Sequence, residues 1–153
     1  MNLINQSIEF VHLDYRTLKN FQGDLKKVSK EEYKKLENSL KTKGNFDIIR
    51  VWKSGNDFFI LDGHTRIQYF KEKKVKFNGG YEVPAVVIHA ESEQDAKEKL
   101  LLLNSQYGEL TKEGLASFVG SQIPAEWFES FIKFTHIDNF EWLKQVQSQQ
   151  AIS

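Results

Sequence analysis

The chain of 153 residues contains no cysteine, which excludes disulfides, thiolate metal sites and cysteine nucleophiles. It carries no net charge either: 21 Lys/Arg balance 21 Asp/Glu, so the surface as a whole is not a basic glove for a polyanion. No uninterrupted apolar run approaches membrane-spanning length, and the opening MNLINQSIEF lacks the basic, apolar and small-residue succession of a secretory signal. A cytoplasmic setting with no membrane partner is therefore expected. Neither G-x-x-x-x-G-K-[ST] nor G-x-G-x-x-G occurs, and no serine sits in a nucleophile elbow. The four histidines, His12, His64, His89 and His136, include no pair at the helical spacing of a metal site.

What is present suits a folded protein. With 40% hydrophobic and 27% charged residues, the chain is long enough for one domain with its own core, trailed by a small helical extension. The charge balance is uneven along it. Residues 1–80 carry 16 Lys/Arg against 10 Asp/Glu and residues 81–153 carry 5 against 11, so the halves stand at +6 and −6. Any polyanion contact is expected on the first half; attraction between the halves within one fold accounts for the same asymmetry.

Period and punctuation predict the elements. SIEFVHLDY (Ser7 to Tyr15) alternates and is rich in β-formers, as a first strand should be. Ser29 with Glu32 makes a capping box for a helix whose face carries Tyr33, Leu36 and Leu40 and which Gly44 stops. Two apolar runs, Ile48 to Trp52 and Phe58 to Leu61, flank Ser54-Gly55-Asn56 and read as a hairpin. A short helix from His64 to about Lys74 ends in KEKK, VPAVVIHA reads as a buried strand, and Ser92 with Asp95 caps a helix bearing Ala96, Leu100 and Leu103. Thr111 opens a helical segment that ends at Gly120, Pro124 marks another helix start, and Asp138 with Glu141 forms a last capping box. Trp127, Phe131 and Phe134 recur at helical spacing, as do Trp142 and Val146; such aromatic stripes serve as core or as partner-docking faces.

The densest chemistry lies in ILDGHTRIQYF, residues 60–70. A strand ending at Asp62 and a helix starting near His64 leave backbone N–H groups pointing out of the helix start, with the positive end of its dipole behind them. Gly63 lets the chain bend and lets a phosphate approach closely. Arg66 supplies a two-pronged donor, Thr65 a hydroxyl and His64 a ring N–H, while Asp62 is placed to hold a metal such as Mg²⁺, orient a water or accept from a sugar hydroxyl. Each residue also has an ordinary structural use: Asp-Gly makes turns, threonine caps helices and arginine pairs with acids. The phosphate reading requires the Arg66 guanidinium to be available.

ILDGHTRIQYFKEKK followed by VPAVVIHAESEQDAKEKLLLLNSQYGELT resembles the ParB/sulfiredoxin superfamily, in which a strand leads into a Gly-x-x-Arg turn and a helix, then a Val-Pro strand and a helix ending in an Asn-containing motif. EEYKKLENSLKTKGNFDIIRVWKSGNDFFILDG upstream fits the same pattern, so the likeness covers roughly residues 7–115. It implies an α+β fold, a small mixed sheet packed by helices over residues 1–110, with a helical extension over 111–153. It also implies a nucleotide-phosphate pocket at Gly63, His64, Thr65 and Arg66, with Asn104 and Gln106 in the neighbourhood of a nucleoside triphosphate (CTP or ATP) and its Mg²⁺. Leu103 and Tyr107 depart from the family's Glu-Asn-x-Gln-Arg pattern; Glu109 is the nearest substitute acid. A sulfiredoxin needs a cysteine where His64 stands, so that activity is excluded.

The pattern from Leu61 to Arg66 looks most like members from phages and mobile elements, implying service in DNA transactions. NTPase or phosphotransferase activity falls within the same resemblance. Lys71, Lys73, Lys74 and Lys76 are candidate DNA-backbone contacts, or solvated lysines at a helix end. Two alternatives stand beside this reading. One is a non-catalytic protein-interaction module with a degenerate pocket, docking its partner through the aromatic C-terminal helices. The other is a metal-dependent nuclease using Asp62, His64 and Glu109.

Overall fold

The computed structural model describes residues 1–23, 25, 28–104, 111–131 and 139–152. Packing divides the chain into two units: residues 1–21 with 28–91, and residues 22–27 with 92–153.

In the first unit, β1 (Ile8–Asp14) ends in a 3-10 turn, Tyr15–Thr17, and is followed by α1 (Lys30–Lys43), β2 (Ile49–Ser54), β3 (Asp57–Asp62), α2 (His64–Lys73) and β4 (Glu82–Ile88). The strands form one mixed sheet in the order β1-β4-β2-β3. β1 and β4 run antiparallel, β4 and β2 parallel, and β2 and β3 form the hairpin expected around Ser54-Gly55-Asn56. The ladder of that hairpin is not regular. Its register shifts between Arg50 and Val51, so Val51 faces Ile60 but Arg50 faces Asp62.

One face of the sheet makes the core. Ile49, Val51, Ile60, Val83 and Ala85 alternate inward and meet Ile67, Tyr69 and Phe70 of α2, all buried. Tyr15 closes this core where β1 ends. Its ring, fully buried, contacts Phe70, Phe77 and Tyr81 at centroid distances of 5.5, 6.4 and 6.0 Å, and its hydroxyl donates to the Val75 carbonyl at 2.5 Å. The tyrosine thus joins β1 to the end of α2 and to the segment leading into β4. α1 is different. Its Ser29 cap forms as expected, with Oγ accepting from the Glu32 N–H at 3.1 Å, yet none of its residues is fully buried; Tyr33, Leu36 and Leu40 only lean on the core.

The second unit holds α3 (Glu93–Asn104), α4 (Lys112–Val119), α5 (Ala125–Phe131) and α6 (Glu141–Ile152). Ser92 and Thr111 cap α3 and α4 through their hydroxyls, as their positions predict. Asp138 of the expected last capping box lies outside the described residues; the Asn139 Oδ1 accepts from the Glu141 N–H at 3.2 Å instead. The fully buried ring is Phe128, stacked on Phe140 at 4.9 Å, while Trp127 and Trp142 are half-buried; Phe134 is outside the described residues. Gln147 of α6 ties the α4–α5 turn, donating to the Gly120 and Ile123 carbonyls at 3.0 and 2.7 Å and accepting from the Ala125 N–H at 3.2 Å. No helix of the described residues is long and apolar enough to cross a membrane.

Between β3 and α2 the chain turns on Gly63 alone, in the left-handed region at φ +107°. A Cβ built there would lie 2.5 Å from Ile49 Cδ1, inside any real contact distance. Two stability predictions follow from these contacts, both read by urea unfolding with circular dichroism. Tyr15→Phe, which strands the Val75 carbonyl, costs about 1–3 kcal/mol, and Tyr15→Ala costs about 3–5 kcal/mol through the added cavity. Gly63→Ala costs at least about 1–3 kcal/mol from backbone strain, and because Ile49→Ala empties the space that the new methyl group needs, the double variant loses less stability than the sum of the two single losses.

Candidate functional site

The corner after β3 is where the sequence places the chemistry, and four of its candidates are contiguous there. Gly63 is the N-cap of α2, with no side chain capping the helix start; His64, Thr65 and Arg66 form the first turn, closed by the Ile67 N–H bonding to the Gly63 carbonyl at 3.0 Å. No side chain of the N-cap residue bonds to the start of this ten-residue helix, and the positive end of its dipole faces the corner. Gly63, however, does not serve phosphate approach as expected: the space its missing Cβ would take is filled by Ile49. The glycine is required for the bend and for core packing.

Both charged residues of the corner are already paired. Asp62, the last residue of β3, accepts from Arg50 Nη1 at 2.6 Å across the hairpin, a contact that the register shift makes possible. Arg66 Nη1 lies 2.8 Å from Asp47 Oδ2, with Asp47 in the loop between α1 and β2. The Arg66 side chain is 22% exposed and that of Asp47 52%. Arg66 Nε is buried with no hydrogen-bond partner, so the pair leaves one donor of the fork unused. Partial burial pushes the Asp47 carboxyl up, but the Arg66 hydrogen bond, the Ile48 N–H at 2.7 Å and the charges of Arg66 and Arg50 outweigh it and hold the group below the usual aspartate value.

The result is a quartet of two guanidinium groups and two carboxylates with no net charge. Sequence reasoning missed two of its members. Arg50 was hidden by the irregular ladder, because regular counting outward from Ser54–Asp57 sets it opposite Leu61. Asp47 sits in a loop, where no periodicity signals a partner.

Asn104 belongs to the second unit; its side chain is buried and donates to the Leu100 carbonyl of its own helix at 2.6 Å. Gln106, Tyr107 and Glu109 lie outside the described residues. Lys71 donates to the Leu18 carbonyl at 2.7 Å, whereas Lys73, Lys74 and Lys76 are exposed. Among the described residues, no three His, Asp or Glu side chains come together as metal ligands. Asp62, held by Arg50, therefore has no assembled partners for Mg²⁺ there.

Two clefts open on the first unit, and neither is lined by the corner. One, of about 240 Å³, lies among Ser7, Glu9, Trp52, Lys53 and His89; the other, of about 520 Å³, lies between α1 and α2.

No family model matches the sequence, and no curated protein matches it. Solved structures do match its fold. The C-terminally truncated chromosome-partitioning protein ParB from Caulobacter crescentus, complexed with CTP-gamma-S, superposes with a TM-score of 0.51 at 17% identity, over 76% of each chain. Two structures of a pNOB8-like ParB N-domain superpose with TM-scores of 0.53 and 0.51 at 14% and 17% identity, over 99% and 85% of this chain. This chain spans 64% and 46% of the length of those two. At such identities the likeness is one of fold: a mixed four-stranded sheet with six helices, α+β, in the arrangement of ParB N-domains.

Proposed function

We propose that the first unit binds the phosphates of a nucleoside triphosphate at the Gly63–Arg66 corner. The observation that carries this reading is the start of α2, without a side-chain cap and with a guanidinium in its first turn. Helix-start amides and an arginine fork are the two donor types that best match phosphate oxygens. Support of another kind comes from the Caulobacter ParB of the same fold, which was solved with a CTP analogue. Thr65 adds a hydroxyl, whereas both ring nitrogens of His64 are shielded from solvent. The resemblance of Leu61–Arg66 to phage and mobile-element members assigns this binding to DNA transactions.

Asp47 sets the terms of binding. It occupies Arg66 as a phosphate would, so a nucleotide exchanges one anion for another on the same guanidinium. Asp47 is half-exposed on a loop and can yield the position to a more highly charged ligand. No role for Mg²⁺ is derived, since the described residues assemble no site for it. The same ion pair favours the second reading, a protein-interaction module whose pocket is closed by its own aspartate.

Thermal unfolding with CTP, ATP or GTP, each with Mg²⁺ or EDTA, separates the two. A nucleotide at about 100 times its Kd contributes about 2.7 kcal/mol, which for a chain of this size raises the midpoint by roughly 5–10 °C. Titration calorimetry then tests the residues. Arg66→Ala weakens binding by about 1.5–3 kcal/mol, and Asp47→Asn tightens it because the internal competitor is gone. Absence of a midpoint shift in both the wild type and Asp47→Asn, with every nucleotide, rejects the nucleotide reading.

A further inference from the structure

The cleft between α1 and α2 has a composition unlike the corner. It is lined along α1 by Val28, Ser29, Lys30, Tyr33, Lys34 and Glu37, and along α2 by Gln68, Glu72 and Lys73, and encloses about 520 Å³. Its two acids are satisfied internally. Glu72 accepts from the Tyr33 hydroxyl and from Gln68 Nε2, the latter at 3.1 Å, and Glu37 accepts from Lys41 Nζ at 3.1 Å. Those hydrogen bonds hold both carboxyls below the usual glutamate value. The three lysines of the lining are in the opposite state: among the described residues, Lys30, Lys34 and Lys73 enter no ion pair.

The cleft therefore offers the ammonium groups of Lys30 and Lys34, together with that of Lys73, whose charge also acts on Glu37 and Glu72, around a half-buried apolar floor of Val28 and the Tyr33 ring, which leans on Tyr69 at 5.4 Å. Lys30 and Lys34 stand one helical turn apart on one wall and Lys73 stands on the other. At a rise of about 1.5 Å per residue, the span from Lys30 to Glu37 is roughly 10 Å, the length of about three extended residues.

We propose that this cleft is a docking groove for a short acidic segment of a protein partner. One apolar side chain of that segment lies on Tyr33 and Val28, and flanking carboxylates reach Lys30, Lys34 and Lys73. A peptide is favoured over a nucleic acid by the Glu37 and Glu72 carboxylates in the lining and by the apolar floor. An alternating apolar and acidic chain lays apolar side chains on the floor and carries charge only at every second residue, where it can face the lysines and avoid the carboxylates, whereas a phosphodiester backbone brings charge at every step.

The test is fluorescence anisotropy on the whole chain with a labelled eight-residue peptide of alternating Leu and Glu, a Leu/Gln counterpart and a labelled decathymidylate. The Leu/Glu peptide is expected to bind at low salt and to weaken as salt rises, with at least tenfold weaker binding of the Leu/Gln peptide. The double variant Lys34→Glu/Lys73→Glu, both sites exposed, should lose at least tenfold while keeping the wild-type circular dichroism spectrum. Lys53→Glu, an exposed lysine outside the cleft, should lose less than twofold. The proposal is overturned if the Leu/Gln peptide binds equally well, if Lys53→Glu weakens binding as much as the double variant, if no peptide binds, or if decathymidylate is preferred through the same lysines.

Discussion

A single close approach, Ile49 against Gly63, constrains the functional half of this protein. The left-handed glycine lets β3 end and α2 begin within one residue, and the isoleucine side chain fills the place where any other residue would carry its Cβ. Because Ile49 opens β2 and is itself buried, the corner is clamped to the parallel pair in the middle of the sheet. The direction of α2 follows, and with it the burial of Ile67 and Phe70 on one side and the half-buried placement of His64, Thr65 and Arg66 on the other, with both His64 ring nitrogens shielded from solvent. A site built on this turn inherits the rigidity of the core beneath it.

Charge is handled in two contrasting ways on the same unit. At the corner, Arg50 with Asp62 and Arg66 with Asp47 neutralise one another, so the helix start presents directional donors without excess positive charge. An anion that bound there would have to displace Asp47 from Arg66. Between α1 and α2 the acids are satisfied by Tyr33, Gln68 and Lys41, and the lysines are left over. The formal neutrality of the chain conceals this division.

Much of the fold was legible because it rests on local rules. Ser29, Ser92 and Thr111 each cap the helix that their position announces, and Ser54-Gly55-Asn56 turns the hairpin. The candidate site was legible as a location but not as a state. Nothing local reveals that Asp47 reaches Arg66, or that the bulge at Arg50 brings that residue opposite Asp62. Sequence spacing did not single out Phe128, whose ring packs on Phe140. Helical spacing identifies a stripe about 100° wide, and the choice of its centre is made by the neighbouring element.

The sequence by itself determined which segments are helices and strands, where they start, and that one corner concentrates phosphate-type donors, because caps, turns and periodicity act over a few residues. Only the tertiary structure decided which acids hold Arg50 and Arg66, why position 63 admits no side chain, and which lysines remain unpaired. Those outcomes depend on contacts between residues distant along the chain, whose pairing is set by sheet register and core packing and leaves no short-range mark.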